Sequence, residues 1–139
     1  MRKGRGKRSR FSIEVGLHAG EVYSRITEQA FWWFIREQNL ESVETVGSGK
    51  RHIVVNIHRY RDIKCHGQIQ EWDQEKTDYV IDLNYEQELR DFVATIMHEL
   101  VHLQQYETNE WKGDGEQECE ARQYDLADEF WEQGLTLNV

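Results

Sequence analysis

Hydrophobic residues recur every three to four positions in three stretches of the chain, the period of an amphipathic helix. The first helix is predicted over 21–40, and its apolar stripe consists of Val22, Ile26, Ala30, Trp33 and Phe34. The second helix is predicted over about 86–107. The third follows Asp114, a predicted N-cap, and continues to about Gln133, where Gly134 ends it.

Between the first and second predicted helices, apolar and polar residues alternate with the period of two that is typical of a strand. Strands are predicted over 52–60, 66–72 and 78–85, with the clearest alternation in the last one. The connections between them are short and polar, which favours antiparallel neighbours. The chain therefore predicts an α+β domain in which helices pack on a small three-stranded antiparallel sheet.

The composition is that of a globular protein with one domain. The 139 residues are 38% hydrophobic and 31% charged, which is enough for one modest core. No apolar run approaches the roughly 20 residues of a membrane helix, so we expect no membrane partner. The start lacks the apolar segment of a secretory signal, and Cys65 and Cys119 imply no disulfide framework. We therefore expect a cytoplasmic protein with free thiols, although one bridge between the two cysteines stays open.

The first ten residues contain six Lys and Arg and no acidic residue. The formal net charge is −9 for the whole chain, so it is −15 for residues 11–139. We expect a flexible basic tail over 1–10 and a single domain over 11–139. An acidic body repels phosphates, so it is not expected to bind duplex nucleic acid. The tail could still make a weak nucleic-acid contact, or dock onto the acidic body.

The segment MHELVH at 97–102 places two histidines one helical turn apart. At about 100° per residue, His98 and His102 share a face opposite the apolar stripe of their helix, where two imidazoles can bind one metal ion. Glu99 falls beside them and is placed to act as a general base without itself being a ligand. The alternative is a solvent-facing pair of histidines on an ordinary helix.

A catalytic zinc site needs three protein ligands and one open position. No histidine follows His102, so a carboxylate of the last helix is expected to be the third ligand. On a helical projection Glu120 falls within the arc formed by the apolar and aromatic residues Tyr124, Ala127, Phe130 and Trp131. A buried carboxylate needs a partner, and a metal ion would supply it. Glu120 is therefore the predicted third ligand.

Two other carboxylates of this helix compete with Glu120. Glu116 also projects into the arc and is the main rival, but in the first helical turn a carboxylate is explained by the helix dipole. Glu118 falls outside the arc and is expected in water. Without a metal, Glu120 would form a salt bridge to an arginine such as Arg90 or Arg122.

Together these motifs resemble the gluzincin branch of the zincin metallopeptidases, with the pattern HExxH…ExEAxxF. Here it consists of HELVH at 98–102 and ECEA at 118–121, with Tyr124 at the aromatic position, and the resemblance covers about 78–130. It implies a zincin-like fold and a zinc peptidase that uses Zn²⁺ and Glu99 to cleave a peptide or protein substrate. It also implies that the substrate adds to an edge strand, here the strand over 78–85.

A metal-stabilised binding module is the competing function, in which the edge strand or the basic tail recruits a partner. Glu99 favours the enzyme, because a purely structural site needs no base between its histidines and closes its fourth position. Tyr106 and Tyr124 are candidate hydrogen-bond donors to a developing oxyanion, or they simply pack the helix end and the core.

Overall fold

Four strands and three helices form the part of the chain described by the computed structural model, which comprises residues 9–17, 19–42, 49–59, 65–71 and 78–135. In chain order the elements are β1 (Phe11–Val15), α1 (Glu21–Glu37), a 3₁₀ turn at Leu40–Ser42, β2 (Arg51–His58), β3 (Gly67–Glu71), β4 (Asp78–Asn84), α2 (Leu89–Thr108) and α3 (Glu116–Gln133). Of the predicted basic tail, only Ser9 and Arg10 lie within the described residues. The α+β class is confirmed.

The sheet is mixed and has the strand order β1-β2-β4-β3. β1 and β4 both pair with β2 in parallel, and β3 pairs with β4 antiparallel. The predicted three-stranded antiparallel sheet is therefore wrong. The alternating segment FSIEV at 11–15 forms a strand that the prediction missed, and α1 supplies the crossover that a parallel β1–β2 pair requires.

The strand order also corrects the prediction that the strand over 78–85 is the edge strand. β4 lies between β2 and β3, and its residues from Ile81 to Asn84 are buried. β1 and β3 are the edge strands, and the register of β3 with β4 places Gly67 opposite Leu83. The short polar connections misled the prediction, because β4 inserts between β2 and β3 instead of following them in order.

The helices pack on the sheet through the predicted apolar stripes. In α1, Ile26, Ala30, Trp33 and Phe34 are buried, whereas Val22 in the first turn is 55% exposed. Ile96 and Leu100 of α2 line a small internal gap together with Ile81 and Leu83 of β4. Within the described residues, no helix is long and apolar enough to cross a membrane.

The C-terminal end of α2 is held by a buried carboxylate, Glu107. Its Oε2 accepts hydrogen bonds from Arg51 Nε and from the Tyr79 hydroxyl, both at 2.7 Å. Its Oε1 accepts from Arg10 Nη1 at 2.8 Å. These contacts join α2 to β2, to β4 and to the residue before β1, so the helix that carries the histidines has a fixed position over the sheet.

Candidate metal centre

His98 and His102 lie side by side on the face of α2 that points toward α3. Their ring centroids are 5.2 Å apart. The core stripe of α2 lies on the other side of the helix, as predicted. α3 covers the histidine face, and His102 is only 7% exposed, so the alternative of a solvent-facing pair is wrong for this residue.

The carboxylate that meets both histidines belongs to Glu116, in the first turn of α3. Its Oε1 lies 3.1 Å from His98 Nε2, and its Oε2 contacts His102 Nε2. The left-handed Gly115 directly before α3 turns the chain so that this first helical residue faces α2. Two imidazole Nε2 atoms from α2 thus converge on one carboxylate from α3, which begins 14 residues after His102.

A glutamine amide holds the other ring nitrogen of His102. Gln105 Oε1 lies 3.0 Å from His102 Nδ1, while Gln105 Nε2 donates to the Gly115 carbonyl at 3.0 Å and to Glu118 Oε1 at 2.9 Å. These two acceptors fix the orientation of the amide, so its oxygen faces the imidazole. An amide oxygen only accepts, and His102 Nδ1 therefore carries the proton.

His98 has the same arrangement on the other side of the site. Its Nδ1 lies 2.6 Å from Gln123 Oε1 on α3. When a ring is protonated, its Nε2–H donates to the Glu116 carboxylate as an ion pair. When both rings are neutral with the proton on Nδ1, both Nε2 atoms present lone pairs to that carboxylate, whose oxygens are also acceptors. Acceptor atoms at this separation repel one another unless a cation or additional protons lie between them.

The donor set fits a metal ion of the zinc type. Imidazole nitrogens and one carboxylate are common zinc ligands, and each histidine has the outer hydrogen bond that ligating histidines make to a neighbouring acceptor. Two donors at about 2.0–2.1 Å from a tetrahedral ion lie about 3.3–3.4 Å from each other. The 3.1 Å between His98 Nε2 and Glu116 Oε1 is close to that separation.

Cys119 adds a donor that the sequence did not indicate. The ligand atoms of His98, His102 and Cys119 lie within 4.8 Å of one another, so this group could hold a metal ion. Cys119 is fully buried, and burial raises the pKa of its thiol to about 12. It follows Glu116 by three residues and so shares its face of α3. Cys65 and Cys119 are both free thiols, as predicted.

Glu99 lies beside the histidines and faces β3. It is 4% exposed, and burial is the main reason that its pKa rises to about 7. Gly67 of β3 lies so close that a Cβ atom on it would be 3.3 Å from Glu99 Oε2. Among the described residues, Glu99 has no hydrogen-bond or ion-pair partner. A carboxyl group in this state can exchange protons near neutral pH.

The predicted burial of Glu120 is wrong, because its side chain is exposed. The buried residues of α3 are Cys119, Leu126, Ala127 and Phe130. Measured from Cys119 at about 100° per residue, their arc extends from about −20° to 80°, with Glu116 near 60° and Glu120 near 100°. The prediction widened the arc with Tyr124, at about 140° and only partly buried, and with Trp131, at about 120° and exposed.

The arginines considered for Glu120 have other partners. Arg122 pairs with Glu118 at 2.9 Å, and Arg90 pairs with Asp128 at 3.1 Å. Glu118 is exposed as predicted, but it also accepts a hydrogen bond from Gln105, and these contacts lower its pKa. The structure thus places Glu116, not Glu120, against both histidines.

An open cavity of about 620 Å³ adjoins His98, and we call it the site cavity. Its walls come from the start of β3, from α2 and from α3. The lining residues are His66, Gly67, Gln87, Asp91, Thr95, His98, Glu99, Glu120, Gln123 and Tyr124. Glu120 is therefore one of the side chains that line the site cavity.

The two tyrosines considered as oxyanion donors have different surroundings. Tyr106 stacks between the rings of Tyr79 and His102, at centroid distances of 6.0 and 6.3 Å. The Tyr124 hydroxyl donates to Asp91 Oδ1 at 2.6 Å. Tyr106 thus packs against a candidate ligand. Tyr124 lines the site cavity, but its hydroxyl proton is already donated to Asp91.

Comparison with known proteins adds no family to this geometry, since no family model, no curated protein and no solved structure matches the chain. The resemblance to gluzincins therefore stays an expectation from the sequence motifs HELVH and ECEA, and Glu116 lies outside both motifs.

Proposed function

We propose that this chain is a zinc-dependent peptidase whose metal ligands are His98, His102 and Glu116. The observation that carries the proposal is the convergence of two imidazole Nε2 atoms on one carboxylate. Such a cluster of acceptors is stabilised by a cation, and the hydrogen bonds that the Nδ1 atoms of both rings donate to Gln105 Oε1 and Gln123 Oε1 favour the tautomer that binds metal. Three protein ligands leave a fourth position open, the arrangement of catalytic zinc sites.

When bound, zinc would supply Lewis-acid activation of a water molecule and of the scissile carbonyl. Glu99 would accept the proton of the attacking water and pass it to the leaving amine. Its burial and its lack of a partner among the described residues support this role, because a base must be free to take up a proton.

The edge strand β3 supports a peptide as substrate. It lies beside Glu99 and borders the site cavity through Gly67. The backbone groups of an edge strand can pair with an extended peptide, which would lie across the site cavity with its side chains alternating between the two faces. A substrate held in this way would present its backbone carbonyls to the metal centre.

Metal content tests the ligand assignment. Purified protein should hold about one zinc per chain, and His98→Ala or His102→Ala should lose it. His52→Ala is the matched control, because His52 lies on β2 and bonds only to Ser12 and Glu14 among the described residues. Retention of zinc in both site variants, measured by elemental analysis, would contradict the proposal.

Substitution of the base tests the chemistry. Glu99→Gln keeps the size of the side chain but removes its basicity, so zinc should stay bound while peptide hydrolysis falls by about 10²–10⁴-fold. Glu129→Gln, on the exposed face of α3, is the control and should retain full activity. If the Glu99→Gln variant hydrolyses peptides as fast as wild type, Glu99 is not the base.

A metal-stabilised binding module is the second candidate, and Cys119 favours it. A thiolate ligand in addition to the histidines and Glu116 would close the fourth position, as structural zinc sites do. Cobalt substitution separates the two functions, because a cobalt–thiolate bond absorbs strongly in the near ultraviolet. A catalytic site with three ligands should lack this band, and Cys119→Ala should retain both metal and hydrolysis. A band that disappears in Cys119→Ala would favour the binding module.

A further inference from the structure

The site cavity contains acidic groups on two of its walls. Asp91 lies in the first turn of α2, and Glu120 lies on α3. Neither Lys nor Arg is among the residues that line the cavity. Arg90 lies over the Tyr124 ring at 4.5 Å, but it is ion-paired with Asp128 outside the cavity. The cavity beside the candidate metal centre is therefore negatively charged.

The two carboxylates differ in what they already bind. Asp91 Oδ1 accepts from the Tyr124 hydroxyl, and Glu120 has no hydrogen bond or ion pair among the described residues. Glu99 supplies a second, independent observation, because it is more than nine-tenths buried, faces the same cavity and lacks a partner within the described part of the chain. A buried polar group without a protein partner indicates that the cavity is filled by a polar ligand or by water.

We propose that the site cavity binds the cationic side chain of a Lys or Arg residue that flanks the scissile bond of the substrate peptide. This inference rests on the proposed peptidase function and names its substrate class. Gly67 of β3 and Glu120 line the same cavity, and the charge of an arginine or lysine side chain pairs with the carboxylates there. An apolar side chain would remove water from Asp91 and Glu120 without a compensating contact, and an acidic one would be repelled.

Cleavage of three matched peptides tests the substrate class. They differ only at one residue flanking the scissile bond, which is arginine, norleucine or glutamate. The comparison is made first for the residue before the bond and then for the residue after it. Zinc-loaded wild type should cleave the arginine peptide with a kcat/KM about 10–100-fold higher than the norleucine peptide, with the glutamate peptide poorest. Equal values for all three peptides would overturn the inference.

Charge reversal in the cavity gives a sharper result. Glu120→Lys should shift the preference toward the glutamate peptide, and Asp91→Asn should reduce the preference for arginine. Glu129→Lys is the control, because it makes the same change of charge on the exposed face of α3 outside the cavity. Zinc content is measured for each variant, so that loss of the metal centre is separated from loss of preference.

Binding separates this inference from the proposed function. The Glu99→Gln variant, loaded with zinc, is titrated with the same three peptides and the affinities are measured by fluorescence anisotropy. If wild type cleaves none of the peptides but the variant prefers arginine, the peptidase function fails and the cationic site stands. If cleavage occurs without any charge preference in rate or binding, the function stands and the cationic site is wrong.

Discussion

At the scale of single residues, the identity of the third ligand is the sharpest question. Glu116→Gln should weaken zinc binding by at least about 10–100-fold, because it removes a charge from between two imidazoles. Glu120→Gln should leave zinc affinity nearly unchanged, since its exposed side chain contacts neither histidine. Competition with a chromogenic chelator measures both. A loss of zinc in Glu120→Gln but not in Glu116→Gln would restore the assignment made from the sequence.

The spacing of the motif was enough to predict His98, Glu99 and His102, because an i, i+4 pair meets on one helix face whatever surrounds it. The third ligand depends on the phase of α3 and on where it begins, and a shift of about 40° separates Glu116 from Glu120. Gln105 and Cys119 could not be found in advance. They become informative only when α2 and α3 lie against each other.

Gln105 should act as a positioning residue for His102. Gln105→Ala removes the acceptor on Nδ1, so the ring loses its orientation and zinc affinity should fall by about 10–100-fold. Gln104→Ala is the matched control, because Gln104 contacts Gln38 and Arg122 instead of a histidine. Equal zinc affinities in the two variants, measured by chelator competition, would show that Gln105 only packs.

Gly115 should be coupled to Gln105. It has φ +81°, and a Cβ atom there would lie 2.2 Å from Gln105 Oε1. Gly115→Ala should therefore weaken zinc binding by displacing Gln105, and the added loss should be smaller when Gln105 is already alanine. A double-mutant cycle on zinc affinity measures this coupling. Strictly additive losses would mean that the two residues act separately.

At the scale of elements, the close approach of β3 to α2 sets the position of Glu99. A Cβ atom on Gly67 would lie 2.6 Å from Thr95 Cγ2 and 3.2 Å from the Asp82 carbonyl oxygen. Gly67→Ala should push β3 away from α2 and lower hydrolysis by about tenfold or more, while zinc stays bound. Parallel measurements of kcat/KM and zinc content test this expectation.

Thr95→Ser provides the control for that variant. It removes the Cγ2 atom but keeps the hydroxyl that donates to the Asp91 carbonyl at 2.9 Å. Thr95→Ser alone should be nearly neutral, and combined with Gly67→Ala it should restore part of the lost activity. If the double variant is no better than Gly67→Ala, the contact with Thr95 is not the cause of the loss.

The elements differ in how well the sequence predicted them. Helix periodicity placed α2 and α3 within a few residues, because the apolar stripes at Phe92–Leu103 and Cys119–Phe130 face a core. Alternation found β2, β3 and β4 but carries no information about strand order. β4 is central because it pairs with both β2 and β3, contacts that are set by the whole chain.

At the scale of the whole molecule, the acidic chain buries the carboxylate of Glu107 outside the candidate metal centre and pairs it with two arginines. Glu107 and Arg51 have fully or nearly fully buried side chains, and Arg10 approaches from the N-terminal side of β1. The opposite charges compensate for the cost of burying them, and removing the Glu107 carboxylate takes an ion-pair partner from both arginines. The tertiary structure depends on this pairing even though the site does not contain it.

Glu107→Gln should therefore destabilise the fold by about 3–5 kcal/mol, because Arg51 keeps its charge in a buried position. The matched control is Glu21→Gln, which breaks the exposed pair with Arg25 and should change the unfolding free energy by less than about 1 kcal/mol. Urea unfolding of both variants measures the difference. Zinc stoichiometry at low denaturant should remain that of wild type, since Glu107 contacts no candidate ligand. If Glu107→Gln were as mild as Glu21→Gln, the buried network would contribute little, and hydrophobic packing alone would hold α2 over the sheet.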